Sequence, residues 1–160
     1  MKTGFSFIEF LLGLSAAAIL AIASGILLAN IYRGWIRAAA AVDMERDGAV
    51  AVHTFELAIR SASNTVTGEV GVDRLKVRTP GGIIRSFSVQ TSNGRRSLLY
   101  NPDDPGGGTM VLLDKRLGTF TSATTGKMVC VSFTVNGIDQ NNQDTGLVMG
   151  YSNIWMRMRN

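Results

Sequence analysis

The chain has 160 residues, 46% hydrophobic and 18% charged, which is one domain's worth of chain and too apolar for wholesale disorder. Its net charge of +4 is too modest to imply a nucleic-acid partner, and no aromatic residues interleave the basic pairs Arg95-Arg96, Lys115-Arg116 and Arg157/Arg159 as a stacking platform. The single cysteine, Cys130, excludes an intramolecular disulfide, a Cys-x-x-Cys redox pair and a thiolate zinc cage.

In chain order, residues 1–4 form a short polar start carrying Lys2. Residues 5–62 then read as one long helix, because no proline interrupts them and alanine dominates their middle. The helix has two parts. In residues 5–29 the only ionisable side chain is Glu9. At ~1.5 Å rise per residue that stretch is roughly 37 Å long, enough to cross a bilayer core of ~30 Å. In residues 30–62 the pattern turns amphipathic. Val52, Phe55, Ile59 and Ala62 recur at three- and four-residue spacing, while Asp43, Arg46, Asp47 and Arg60 are placed to look outward. Such an apolar stripe needs a cover.

Residues 63–160 supply it as strands. Leu75 and Val77 alternate with Arg74, Lys76 and Arg78, and Phe87 and Val89 alternate with Ser86, Ser88 and Gln90. Asn93-Gly94 marks a two-residue hairpin turn, whose type I′ geometry needs positive φ at both positions. Two further strands, residues 98–100 and 110–113, flank a Pro- and Gly-rich loop at 101–108. Val129, Val131, Phe133 and Val135 make the clearest alternation, which Asn136-Gly137 is expected to end, and Cys130 between them should face away from the helix. Residues 147–158 are apolar but ambiguous in type. A long N-terminal helix followed by hairpin-linked strands gives an α+β class, with an antiparallel sheet laid on the helix.

Few residues suggest chemistry. Asp139, Asn141, Asn142 and Asp144 have oxygen donors at loop spacing but lack an EF-hand's glycine and final glutamate, so they read as a polar hairpin loop. Asp103-Asp104 between Pro102 and Pro105 reads as a rigid turn. Gly106-Gly107-Gly108 precedes no Lys-Ser or Lys-Thr and is no phosphate loop. His53, the only histidine, has no nucleophile nearby in the chain. No catalysis, cofactor or metal is expected.

Glu9 is the anomaly. An ionisable group inside a spanning segment costs roughly 2.5 kcal/mol near the centre and less towards an end. A secretory signal peptide would be shorter and end in a small-residue cleavage site. Ser6-x-x-Glu9 also has the form of a capping box, and a first-turn carboxylate suits the helix dipole. Together Gly4-Phe5-Ser6-Phe7-Ile8-Glu9 resembles the processing signal of type IV prepilins and type II secretion pseudopilins. The resemblance implies cleavage between Gly4 and Phe5 by a prepilin peptidase, methylation of the new Phe5 amine, and use of Glu9 in filament assembly. It also implies the pilin fold, with residues 1–4 a leader. The implied partners are membrane lipid, an inner-membrane assembly platform and other pilin subunits packed helix to helix. The cytoplasmic orientation of the N-terminus comes from the resemblance as well, since Lys2 on one side and Arg33 and Arg37 on the other leave the charge bias undecided. Many major pilins carry a C-terminal disulfide loop and a kinking proline in the membrane half. Both are missing here, which points to a minor pilin or minor pseudopilin of the W or J type. The rivals are an uncut, signal-anchored surface binding protein and a DNA-binding pilin of a competence system using Arg95-Arg96 and Arg157/Arg159.

Overall fold

The computed structural model describes residues 6–139 and 141–159, so Gly4 and Phe5 lie outside the described residues. Helix α1 runs unbroken over Phe7–Arg60. It closes where Ala62 N–H turns back to the Ile59 carbonyl at 3.0 Å and the Ser61 hydroxyl donates to the Leu57 and Ala58 carbonyls at 2.8 Å. Spare carbonyls at a helix end need such donors. The chain forms two compact units, the first ending at Ala38 and the second beginning at Ala39.

In the second unit the α+β layout is as expected. Its helical part packs on one seven-stranded sheet in which every strand is antiparallel to the next in sequence. The strands are β1 (Asn64–Gly71), β2 (Arg74–Arg78), β3 (Ile84–Ser92), β4 (Arg95–Asn101), β5 (Met110–Thr125), β6 (Met128–Ile138) and β7 (Asp144–Arg157). Asn93 and Gly94 make the β3–β4 turn with φ of 52° and 73°, as a type I′ turn requires. The sheet curls on itself. The turn between β1 and β2 reaches β5, where Gly71 N–H donates to Ser122 Oγ at 3.0 Å and Asp73 N–H to the Phe120 carbonyl at 3.1 Å.

The core lies inside the curl. Ala40, Met44, Gly48, Ala51, Phe55, Ala58 and Ile59 form the buried face of α1, so the stripe starts a full three turns before Val52, which sits half-buried at its flank. The Phe55 ring is enclosed by Phe87, Phe120 and Phe133, at centroid distances of 4.3, 5.7 and 5.8 Å. Val129, Val131, Phe133 and Val135 all face this cluster. Cys130 points to the opposite face of the sheet, yet it too is buried, with Ala123 and Trp155 beside it in register.

Several sequence expectations are corrected. Asn136 and Gly137 do not end β6. Asn136 pairs with Val148, and the turn is made instead around Asp139, whose Oδ1 accepts from Asn141 N–H at 2.9 Å and Gln143 N–H at 2.7 Å. Gly137 is needed for space, because a Cβ there would lie 2.4 Å from Thr145 Oγ1 and 2.9 Å from the Met44 sulfur. Asp43 and Asp47 do not simply look outward. Arg116 on β5 reaches across to both, at 3.5 Å and 3.2 Å, tying the sheet to the helix. Arg46 and Arg60 are exposed as expected. The ambiguous run 147–158 is a strand, and β1 and the second half of β5 add strands that the pattern did not announce.

Gly48 lies where Tyr151 of β7 comes hard against the helix. A Cβ at this position would sit 2.1 Å from the Tyr151 hydroxyl, and the Tyr151 ring is stacked on Phe133 at 4.7 Å, so it cannot swing aside alone. Gly48→Ala is therefore expected to destabilise the second unit by ~1–3 kcal/mol through overpacking, despite alanine's better helix propensity. Denaturant unfolding checks this; a gain in stability would mean that the contact is loose.

Candidate functional site

The first turn of α1 shows why a glutamate can stand at the head of an apolar helix. Ser6 occupies the N-cap, since its carbonyl accepts the first helical bond from Phe10 N–H at 3.1 Å. Glu9 Oε2 accepts the Ser6 N–H at 2.9 Å, which is the glutamate half of a capping box. The carboxylate thus satisfies an orphan donor at the positive end of the helix dipole. It remains exposed, so the same group is open to an outside cation.

Apart from Glu9, residues 7–29 of the helix carry no charge on any side, and their side chains are exposed. Phe7 is 74% exposed, and Ile19 and Leu20 are each 67% exposed. A helix without a polar face belongs in lipid or among other helices. Ser15, one of two serines on the apolar run past the cap, donates its hydroxyl to the Leu12 carbonyl at 2.9 Å, which satisfies the group without water. Gly13 and Gly25 leave open space around their Cα atoms, and small residues of this kind let another helix approach closely. The helix is long and apolar enough to cross a membrane, which is compatible with a single-pass anchor.

Sequence reasoning passed over the far end of this stretch. Tyr32 and Trp35, 60% and 61% exposed, stand beside Arg33 and Arg37. Aromatic rings and arginines are enriched at the headgroup level of spanning helices, and these four residues have that composition. The signal was in the sequence, in the first aromatic-plus-cationic residues after the apolar run.

The other candidates resolve into structure. His53 is exposed on the helix. The Asp139 carboxylate caps its own turn, and Asp144 Oδ1 accepts the Gly146 N–H at 2.8 Å. Asp104 pairs with Lys76 at 3.0 Å, and its N–H donates to the Ile84 carbonyl at 2.8 Å. Arg96 is bound to the Asp73 carboxylate and the Gly118 carbonyl, and Arg95 to the Asn142 carbonyl. Arg157 and Arg159 are exposed, and Trp155 stands on the same face of the chain, so an aromatic does accompany this basic pair. Two phenols titrate high. Burial pushes Tyr100 up, with Arg85 opposing, and burial together with Glu45 pushes Tyr151 up. Tyr100 is a core residue of the sheet and Tyr151 is half-buried against that core, so their packing accounts for both shifts.

Glu9, Phe7 and the apolar stretch thus come together on one element, and the charged loop candidates belong to the second unit. No protein-family model, no curated protein and no solved structure matches this chain.

Proposed function

We propose that this chain is a non-enzymatic subunit of a filament of the type IV pilus or type II secretion pseudopilus kind. The supporting observation is a single carboxylate, Glu9, in the first turn of a helix whose residues 7–29 are otherwise without charge and are all exposed, a few residues after Gly4-Phe5 in the sequence. The helix continuing into a sheet-covered half agrees with a pilin fold. In this reading the precursor waits in the bacterial inner membrane with its C-terminal unit outside the cytoplasm. A prepilin peptidase cuts between Gly4 and Phe5 and methylates the new amine, which keeps its positive charge. Glu9 of an arriving subunit then pairs with the Phe5 ammonium of its neighbour. In low dielectric such a pair attracts far more strongly than in water. The apolar faces exchange lipid for neighbouring helices, with small residues allowing close packing. The single cysteine and the proline-free anchor favour a minor subunit.

Intact-mass measurement of the protein from membranes of cells with an active prepilin peptidase tests the reading. The expected mass is that of a chain beginning at Phe5 and carrying one added methyl group. A mature chain still beginning at Met1 would remove the family assignment and favour an uncut surface anchor.

A second expected outcome concerns the two units. A chain beginning at Asn30 should be soluble, monomeric and folded, because it omits the apolar run and keeps the stripe together with its sheet. Sedimentation and far-ultraviolet dichroism check this; aggregation would mean that the second unit needs the first for cover.

A further inference from the structure

β7 is the last strand of the sheet, so its outer edge has no neighbouring strand among the described residues. Such an edge presents main-chain donors and acceptors ready to pair with another extended chain. The strand ends at Arg157, and the alternation of buried and exposed residues carries on past it to Arg159. Met156 and Met158 are buried in the core, while Trp155, Arg157 and Arg159 are exposed. A groove runs between this strand and the helix, lined by Val52, Glu56 and Arg60 of α1 and by residues 154–157 of β7. Arg60 and Arg157 also line a neighbouring cavity with Met158 and Arg159, where Arg159 N–H donates to the Arg60 carbonyl at 3.2 Å.

The charges in the groove do not balance. Its one acid, Glu56, is taken up by Arg60 at 2.5 Å. Arg157 and Arg159 have no acidic partner among the described residues. The lining is otherwise apolar, with Val52, Ile154 and Met156 along it and Trp155 at its rim. An occupant must therefore be extended to use the strand edge, apolar on alternate residues to cover the lining, and anionic to meet the two arginines. Side chains on one face of a strand recur every ~6.8 Å, so carboxylates on alternate residues of an added strand can meet Arg157 at the end of β7 and reach towards Arg159 just past it.

We propose that this groove binds an extended acidic segment of a partner protein, which adds to the sheet as a strand beside β7. The proposal does not depend on the filament reading. The apolar lining and the strand edge favour a polypeptide over a nucleic acid, which would find one aromatic ring and no edge to pair with its backbone.

The test uses the full chain in nanodiscs of zwitterionic lipid and a fluorescently labelled peptide of ten alternating valines and glutamates, read by anisotropy at low salt. Binding is expected, together with its loss when lysine replaces glutamate in the peptide. The double variant Arg157→Glu, Arg159→Glu should weaken binding by ~10-fold or more, because each pairing becomes a repulsion. Its thermal midpoint should match the parent's, since both side chains are exposed. Strand addition has its own signature. N-methylating the amides on one edge of the peptide should abolish binding, while methylating the other edge should leave it nearly intact. That arm needs no protein variant, so it decides the matter even if the double variant fails to fold. Absent binding, equal binding of the lysine peptide, or indifference to methylation of either edge would each overturn the proposal. Binding of a fifteen-nucleotide oligo-dT in place of the peptide would assign the surface to nucleic acid, and a dimer abolished by the double variant would assign it to a second copy.

Discussion

Phe55→Ala is expected to destabilise the second unit by ~3–5 kcal/mol. The ring is fully buried and touches three other aromatic rings, from β3, β5 and β6. Truncation removes both the apolar burial and the edge and face contacts, and the surrounding rings belong to paired strands that cannot collapse into the space. Whole domains are stable by only ~5–15 kcal/mol, so this one change should consume a large share of the total. Urea unfolding of a chain beginning at Asn30 measures it. The matched control is Leu57→Ala, two residues along the same helix but 57% exposed. It should shift stability by less than ~0.5 kcal/mol. A midpoint unchanged by Phe55→Ala would show that the stripe does not face the sheet in solution.

The second large effect separates charge from capping at Glu9. The Ser6 N–H bond to Glu9 Oε2 is in place, so the glutamate has a local role whatever else it does. Glutamine is an accepted partner at the same position of a capping box, and Glu9→Gln should keep the helix start. It removes the negative charge and with it, in the proposed filament reading, the pairing to a neighbouring Phe5 ammonium. The variant is expected to be made, inserted and cut normally but nearly absent from filaments. Ser6→Ala is the mirror case. It weakens the N-cap by ~1 kcal/mol and leaves the carboxylate alone, so it should assemble nearly as well as the parent. Both are quantified as the ratio of subunit in sheared filaments, or in crosslinked membrane complexes, to total cellular subunit. Normal assembly of Glu9→Gln rejects charge pairing for this subunit, and failure of Ser6→Ala alongside it reduces Glu9 to a helix cap.

The division between what was legible and what was not follows the range of the interactions. The helix could be read directly, because propensity, the absence of proline and the Ser6-x-x-Glu9 spacing act within a turn or two. The same is true of Asn93-Gly94, where positive φ is a property of two adjacent residues, and of β6, whose period-two pattern reflects burial on one face only. The apolar stretch and its lone carboxylate needed no fold at all, since lipid selects for composition and length.

The rest depended on contacts far apart in sequence. β1 has no clean alternation and a glycine at φ 77° in its middle, and it is a strand because β2 pairs with it. β5 continues past Lys115, itself at positive φ, because β6 receives its second half after β4 has paired with the first. Asn136-Gly137 has the composition of a turn, but pairing with β7 outweighs that local preference and keeps it in the strand. Asp43 and Asp47 look solvated on a helical wheel until Arg116, some seventy residues later, is brought beside them. Gly48 would pass for one more small helical residue; only the stacking of Tyr151 on Phe133 makes its missing side chain necessary. Local sequence therefore determined the long apolar helix, its lone carboxylate and the class of fold, because those rest on propensity and composition. The tertiary structure alone decided register, the edge left open at β7 and the charges brought together, because each of these is set by pairing across the sheet.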